Sequence, residues 1–532
     1  MLSDTSSASR NPAQRSLRRS FGCTVKTTGV RLFRQFKIKD TGKTFSGGEC
    51  TLLILLTVLA AGLRFYKLGE WSYFIDEFHT LANTHESLAS TARRLFSPNS
   101  RAAFWLLTKM SLDSFGESAF ALRFFPSMFG VATIPLIYFP IRHLFDKYVA
   151  LTSALIIAVS PWHIYMSQMA RWYTLSLLVG FFAVLSFYTF VQRGQKRHCV
   201  LYLVLTYFGI TLHLTGVFVP MIAMAYVMAL LVLAQHYQTK ESKRLLFILG
   251  FHAILFLAFV PDIVTFINRW TELEELVGSW GSDFGLKAFY HITPSVGFSA
   301  VIGFFLLATL RDRRGLCLGI YCILPFTVLS LFALLDLNVS ARYQLFTLPA
   351  VSIAAAFTIE YVRGMLSRRR NFIFMALVLM MILPSLQTDY LYFTSEYGYR
   401  HRTQEVFQYI KKRMTKEDQL VMAGVYPGYE ERFYAESLIR AERMDINDRQ
   451  LITSSIENLD LKKRAWIVTL GRAVENPEGF RKWIAEKAHL AVEFPTRRGI
   501  QDQTLKVYLY SPPSLPVSIM PDILLSSSRD LD

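Results

Sequence analysis

Charge is scarce in this sequence. Only 18% of its 532 residues are Asp, Glu, Lys or Arg, and 52% are hydrophobic. A soluble domain carries about 25% charged residues, so the shortage argues against a wholly soluble enzyme. With 43 Phe and 25 Tyr, it also excludes a disordered chain. Cysteine is sparse too. Cys23, Cys50, Cys199, Cys317 and Cys322 show no metal-ligand spacing, which excludes a disulfide scaffold and gives no sign of thiol chemistry. No Gly-rich phosphate cradle is present, which excludes a Walker ATPase, and there is no zinc signature. The centres of the apolar runs carry few charges, which argues against an ion or proton relay. No two halves of the chain match as they do in many transporters.

The charge that is present is unevenly placed. Lys and Arg number 57 against 40 Asp and Glu, a formal net charge of +17. Residues 1–47 alone hold ten basic and two acidic residues. Much of the remaining excess sits in short clusters between apolar runs, the positive-inside signature of a multipass membrane protein rather than a nucleic-acid footprint. The first run, 46–66, has about the 20 residues needed to cross a bilayer. It follows a basic arm, 1–45, too long for a signal peptide, and reads as an uncleaved span with its N-terminus inside.

Further spans are expected near 118–141, 148–166, 173–191, 199–213, 215–236, 245–267, 291–310, 315–335, 343–362 and 371–389. The breaks after alternate spans carry Arg142 and Lys147, then Arg193, Lys196 and Arg197, then Lys240, Lys243 and Arg244, then Arg311, Arg313 and Arg314, then Arg363, Arg368, Arg369 and Arg370. One threading puts every cluster on the cytoplasmic side. It gives about eleven spans, N-terminus in and C-terminus out, with 199–236 required to hold two short helices.

Three outer loops result from it: 67–117, 268–290 and the short turn from Asp336 to Arg342. Leu81, Leu88, Ala92, Leu95 and Phe96, with Arg93 and Arg94 beside them, predict one amphipathic interfacial helix in the first loop. Beyond 395 the chain reads as soluble. Val406, Phe407, Ile410 and Met414 mark a helix face, "DQLVMAG" and "RAWIVTL" read as buried strands, Phe480, Trp483 and Ile484 mark a second helix, and "TLKVYLY" alternates like an edge strand. The expected organisation is a mostly α, multipass transmembrane helix bundle over 46–394, a small α/β domain over 395–510 on the extracytoplasmic side, and a disordered tail over 511–532.

Four segments could carry chemistry. "WSYFIDEFHT" places Asp76 and Glu77 just outside the first span, flanked by Trp71, Tyr73, Phe74, Phe78 and His79. Paired carboxylates at that depth are costly unless they face water, a metal or a partner, and one held in a partly dry site can act as a general base towards a hydroxyl. A solvated loop pair is the plain alternative. "SPWHIYMSQMARWYTLSLL" places Arg171 and Tyr173 at an outer mouth, and "NVSARYQLFTLP" places Arg342 and Tyr343 at another. One arginine there could snorkel to the headgroups. Two Arg–Tyr pairs facing the same compartment as the carboxylates describe an anionic lipid-headgroup site beside a base. In the fourth, "SAFALRFFPSMFGVATIPLIY", Arg123 reads as an interfacial anchor, and Lys109 and Arg101 are candidate phosphate contacts in the first loop. Asn338-Val339-Ser340 is a lone glycosylation sequon.

In this order, "FIDEFHT", "FGESAFALRFFPSMFGVATIPLIY", "SPWHIYMSQMARWYTLSLL" and "ARYQLFTLP" resemble the GT-C superfamily of polyprenyl-phosphate-dependent glycosyltransferases, in the bacterial branch related to protein O-mannosyltransferases and the lipid A aminoarabinose transferase. The resemblance covers about 46–395. It implies a GT-C-like bundle in a bacterial inner membrane, with its active site and C-terminal domain facing the periplasm. It implies a glycosyltransferase moving a hexosyl or pentosyl group from a polyprenyl-phosphate donor to a hydroxyl on a lipid, glycan or protein. Asp76 matches the family's base, with Glu77 beside it to position the acceptor or a cation. Arg171, Tyr173, Arg342 and Tyr343 match the donor-phosphate cavity, and His79, Trp71, Tyr73, Lys109 and Arg123 are further substrate contacts. No cofactor is implied with certainty, and a divalent cation on Asp76 and Glu77 stays open. The family's His-Pro-Pro-Leu-like turn is replaced here by "SPNSRAAFWLL", which leaves the acceptor side open. The rival class is a lipid-linked sugar transporter or flippase without transfer activity.

Overall fold

The computed structural model describes residues 46–233, 246–252 and 284–394 apart from 336, 338, 367 and 368, and in the C-terminal part 402–423 apart from 416, 452–453, 459–470, 477–495 and most of 497–513, with isolated positions between 254 and 264. The basic arm, the sequon asparagine and the tail from 514 lie outside these residues.

Helices dominate. In chain order they are α1 (Gly47–Phe65), α2 (Ile75–Thr84), α3 (Leu88–Arg93), α4 (Ala102–Phe115), α5 (Ala119–Leu144), α6 (Lys147–Ala158), α7 (Pro161–Ser167), α8 (Tyr173–Arg193), α9 (Lys196–Leu212), α10 (Phe218–Leu233), α11 (Phe284–Ile292), α12 (Pro294–Thr309), α13 (Arg313–Leu334), α14 (Leu348–Met365) and α15 (Arg370–Thr394). Among the described residues seven helices are long and apolar enough to cross a membrane, and up to nine spans result if each of two bent pairs is one span. The bends are 58° between α6 and α7 and 95° between α11 and α12. Pro161 opens α7 and Pro294 opens α12, where a ring without an N–H suits a helix start and breaks the helix before it. The span expected at 199–213 is α9, whose 17 residues make about 25 Å, short of the ~30 Å hydrocarbon core. The one expected at 245–267 lies largely outside the described residues.

Serine and aspartate caps start many of these helices. Ser46 and Glu49 form a capping box on α1, and Ser118 and Asp146 accept from the first-turn N–H groups of α5 and α6. Four of the clusters that sequence placed on one side meet at one end of the bundle, while Lys240, Lys243 and Arg244 lie outside the described residues. Arg142 pairs with Glu49 at 3.0 Å, Arg193 bonds His143 at 2.7 Å, Arg314 bonds the Leu144 carbonyl, and Arg363 lies 3.8 Å from the Tyr148 ring centre. At the other end the first loop folds as three helices, not one amphipathic helix. The stretch expected as a single helix breaks at 85–87, leaving Leu88 and Phe96 exposed. The longest helix of the loop, α4, carries Phe104 and Trp105 into the core.

The C-terminal part holds α16 (Thr403–Lys411), α17 (Pro477–Lys487) and strands β1 (Gln419–Ala423), β2 (Ile452–Thr453), β3 (Ala465–Leu470), β4 (Ala488–Phe494), β5 (Arg497–Arg498), β6 (Gln501–Asp502) and β7 (Leu505–Tyr510). Five strands form one sheet in the order β2-β1-β3-β7-β4. β1 is parallel to β2 and β3, whereas β7 runs antiparallel to β3 and β4. Both faces are buried, as the period of two predicts. Leu420, Trp466, Val468, Leu505, Val507 and Leu509 pack with α16, while Val421, Ala465, Ile467 and Tyr510 pack with Ile484 of α17. "TLKVYLY" is therefore no edge strand: β4 pairs along its other side. Asp418 anchors this sheet, taking Arg464 Nε at 2.8 Å, Arg464 Nη2 at 2.6 Å and Trp466 Nε1 at 3.1 Å.

Candidate active site

Asp76 and Glu77 open α2, where the helix dipole favours carboxylates. Consecutive residues on a helix point about 100° apart, and the two carboxylates go to different places.

Glu77 goes inward and is fully buried. Its Oε1 accepts from Arg123 Nε at 2.8 Å and the Ala170 N–H at 2.8 Å. Its Oε2 accepts from Arg123 Nη2 at 2.7 Å and the Phe74 N–H at 2.9 Å. Arg123 spends its other donors on the first loop: Nη1 on the carbonyls of Leu68 and Trp71, both at 3.0 Å, and Nη2 also on the Ser72 carbonyl at 2.9 Å. All five guanidinium N–H groups and four carboxylate acceptor positions are used. The pair holds loop 68–77 in one shape and has no capacity left for substrate or cation.

Asp76 goes to the mouth, with its side chain 15% exposed. Arg342 Nη1 bonds its Oδ2, and Arg171 Nη2 lies 3.6 Å from its Oδ1. Arg171 Nη1 also donates to the Asp76 carbonyl at 3.1 Å. Arg171 is delivered here by its neighbour: the Ala170 N–H bonds Glu77, and the Ala170 carbonyl accepts from Thr80 Oγ1 at 2.9 Å. Arg342 comes from a 3₁₀ turn, Ala341–Thr347, fixed by Tyr321 Oη donating to the Phe346 carbonyl at 2.6 Å.

A third arginine, Arg101, completes the group. Its guanidinium lies 4.5 Å from the Trp172 ring centre, which Arg171 approaches at 3.9 Å. Burial, then the charge of Arg171, push Arg101 down to about 10, still cationic at neutral pH. Its backbone is left-handed, with φ +60°, as is that of Asn99 at +52°, conformations that cost an L-residue of this kind about 1–3 kcal/mol. The turn is held by Asn99 N–H and Arg101 N–H donating to the Ile210 and Thr211 carbonyls, both at 2.9 Å. The Nε–H groups of Arg101, Arg171 and Arg342 meet no acceptor among the described residues. Two guanidiniums on one carboxylate, with a third stacked on the same indole and donors to spare, suit a dianion.

Aromatic rings wall the group. His213 stacks on Trp172 at 5.5 Å and lies 5.2 Å from Tyr343 and 6.2 Å from Tyr173. Arg342 is 6.0 Å from the Tyr173 ring centre and 5.9 Å from that of Tyr343. A cavity of about 590 Å³, lined by Leu95, Phe96, Tyr207, Phe208 and Thr211 among others, adjoins the Arg101 turn through Ile210 and Thr211.

The structure thus brings Asp76, Arg171, Tyr173, Arg342 and Tyr343 together. It sets the remaining sequence candidates in supporting places. Trp71 packs on Tyr392 at 5.2 Å, and Tyr73 packs with Leu81, Leu122 and Ala170. Burial pushes the Tyr73 phenol up to about 12. Lys109 donates to the Thr84 carbonyl at 3.3 Å, and His79 is exposed on α2. Sequence reasoning missed Trp172 and His213, for which a lone Trp and a lone His gave no periodic or motif signal. Among the described residues no three His, Cys, Asp or Glu gather to hold a metal, and both Glu77 oxygens are taken by Arg123 and backbone N–H groups.

Comparison with known proteins gives a fold, and a family match over part of the chain. Residues 99–264 match the family described as dolichyl-phosphate-mannose-protein mannosyltransferase. Among solved structures, ArnT from Cupriavidus metallidurans in the apo state is similar with 13% identity and a TM-score of 0.50, over 87% of this chain and 98% of that one. The archaeal oligosaccharyltransferase AglB from Archaeoglobus fulgidus, in complex with an inhibitory peptide and a dolichol-phosphate, is similar with 12% identity and a TM-score of 0.50, over 80% of this chain and 69% of that one. No curated protein matches the sequence. The chain has the GT-C-like fold of these structures.

Proposed function

We propose that this protein transfers a sugar from a polyprenyl-phosphate donor to an acceptor hydroxyl, at the end of the bundle opposite the basic clusters. By the positive-inside rule that end faces away from the cytoplasm. The observation that carries the reading is the surplus of guanidinium donors around Asp76. A lone structural carboxylate needs one arginine, whereas this one faces two, with Arg101 beside them on Trp172, and the Nε–H groups of all three have no acceptor among the described residues.

The chemistry is set by the charges. The donor's phosphodiester carries one negative charge, and the departing polyprenyl phosphate carries close to two. Arg171, Arg342 and Arg101 are placed to hold the first and to stabilise the charge that grows on the second, which is where preorganised donors lower a barrier. As phosphate enters, the two arginines shift from Asp76 to the ligand and release its oxygens to take the acceptor proton. The acceptor oxygen then attacks the anomeric carbon while the C–O bond to phosphate breaks, with inversion in a single displacement. The prenyl chain has an apolar path in the cavity beside the Arg101 turn. Glu77 and Arg123 hold the loop and take no part in the chemistry. Support from likeness is consistent: the family matched over 99–264 is a mannosyltransferase family, and AglB was solved with a dolichol-phosphate.

The test is transfer by the purified full-length protein in nanodiscs from a panel of polyprenyl-phosphate sugars to lipid, glycan and peptide acceptors, wild type beside Asp76→Asn. Transfer by wild type alone establishes the class and the base. Polyprenyl phosphate-sugar bound tightly but never cleaved, with every acceptor class present, moves the protein to the transporter class.

A further inference from the structure

His213 lies against the arginine group but outside its charge chemistry. It follows α9 and caps the next 3₁₀ turn, Leu214–Val217. Its Nδ1 accepts from the Thr215 N–H at 3.3 Å, and Thr215 Oγ1 lies 2.9 Å from the same nitrogen. Gly216 lets this turn close on α9: a Cβ there would come 2.4 Å from the Gly209 carbonyl carbon and 2.5 Å from the Ile210 nitrogen. The ring is held from a second side by Trp172, on which it stacks at 5.5 Å with 29° between the planes.

A ring nitrogen that accepts an N–H bond carries no proton, so this imidazole is neutral and its hydrogen is on Nε2. Both of its hydrogen bonds among the described residues run to Nδ1. The Nε2–H on the other edge is unspent, in a residue only 9% exposed. Trp172 adds a second neutral donor, since its Nε1–H meets no acceptor among the described residues. Donors this deeply placed cost free energy until something accepts from them. The rings around the imidazole are those that wall the arginine group, Tyr343 at 5.2 Å and Tyr173 at 6.2 Å.

Charge decides which part of a lipid-phosphate sugar fits here. Phosphate oxygens are best met by guanidiniums, because charge-assisted bonds are roughly twice as strong as neutral ones. A sugar hydroxyl carries no charge and is held by neutral, directional donors beside ring faces. The sugar is joined directly to the phosphate. His213 shares its indole with Arg101 and Arg171, at 4.5 Å and 3.9 Å, and so stands beside the groups that would hold that phosphate.

We infer that His213 is a sugar-recognition residue: its Nε2–H donates to a hydroxyl oxygen of the donor's sugar, while the arginines take the phosphate. This rests on the proposed function for the identity of the donor, but it is read by binding rather than by turnover.

The test titrates the full-length protein in nanodiscs with sugar-free polyprenyl phosphate and with the panel of polyprenyl-phosphate sugars. The quantity read is the ratio of affinities, the tightest-binding sugar lipid against the sugar-free one, compared with that ratio in wild type. His213→Asn keeps an oxygen that can cap the turn and loses the outer N–H. It is expected to lower the ratio about tenfold, the loss of one hydrogen bond with a hydroxyl left unpaired, while sugar-free lipid binds within about threefold of wild type. His213→Gln reaches farther and can present an amide N–H where Nε2–H stood, and it is expected to hold the ratio within about threefold. Should Asn fail to fold without a ring on Trp172, His213→Phe keeps the ring, loses the N–H and is read in its place, with the same loss expected. An unchanged ratio in the foldable variant overturns the inference. So does equal weakening of both lipids, which assigns His213 to the phosphate or to packing, and so does equal loss in Asn and Gln. A wild type that binds no sugar lipid overturns the inference and the proposed function together. A wild type that binds sugar lipid but transfers nothing, with the ratio lowered in Asn, overturns the transfer reaction and leaves the inference standing.

Discussion

Asp76 and Glu77 are neighbours with the same charge, both facing arginine, yet they belong to opposite kinds of site. The Glu77–Arg123 pair is fully buried and saturated, each polar atom meeting a partner from the loop, α2 or residue 170. The Asp76 group is partly open and unsaturated, with two arginines on one carboxylate, a third beside them, and N–H groups that meet no acceptor among the described residues. Saturation marks a structural joint, because a ligand would have to break bonds already made. Surplus donors mark a binding site, because the ligand supplies what is missing. The kind of residue does not separate the two; the count of partners does.

The comparison breaks most easily at the closed pair. Removing one partner of a buried ion pair strands the other, a loss of about 3–5 kcal/mol. Glu77→Gln and Arg123→Met are therefore expected to lower thermal stability in detergent strongly and to reduce folded yield, with activity lost because the loop is lost. A Glu77→Gln protein as stable as wild type would remove the clamp from the account. Asp76→Asn should do the reverse. It relieves no buried partner and loosens a crowded group, so the melting temperature holds, while transfer falls by about 10²–10⁴-fold with loss of the base. Equal stability losses at both positions would erase the distinction between the two carboxylates.

The arginines come next. Arg171→Lys and Arg342→Lys keep the charge and lose the fork geometry. Each is expected to lower kcat by about 10²-fold, the effect of removing one preorganised donor from an anionic transition state. Titration with polyprenyl phosphate should show weaker binding in the same variants. Binding at wild-type affinity in both would assign the arginines to Asp76 alone.

Much of this is legible in the sequence, for a physical reason. Apolar runs of about 20 residues announce spans without reference to anything distant, and the described basic clusters that alternate with them share one end of the bundle. Arg171 and Arg342 are readable as partners of the first loop because odd arginines at that end have few other uses. The fates of Asp76 and Glu77 are not. Adjacency in sequence suggests one site, whereas a helix turns the second residue about 100° away, and only tertiary contacts say which direction is inside. Arg123 looks like an interfacial anchor because its partners are loop carbonyls and one carboxylate, all 46 or more residues away. The strand "TLKVYLY" looks like an edge because both of its neighbours are set by pairing, and "AHLAVEF" after α17 gives too irregular an alternation to announce itself as a strand.

The smallest predicted effect lies where the closed pair meets the C-terminal domain. Ser72 uses its carbonyl for Arg123 and its Oγ to accept from the Gln404 N–H at 3.0 Å. One residue thus belongs both to the clamped loop and to the start of α16. Ser72→Ala leaves the carbonyl, and hence the clamp, in place. It removes one neutral hydrogen bond, worth about 0.5–1.5 kcal/mol, between the loop and the domain. Transfer is expected to stay within about threefold of wild type, while hydrogen exchange at 403–411 rises. If transfer instead falls as far as in Arg171→Lys, the C-terminal domain acts on the open group through the loop, and the boundary between the closed and open clusters must be redrawn to include it.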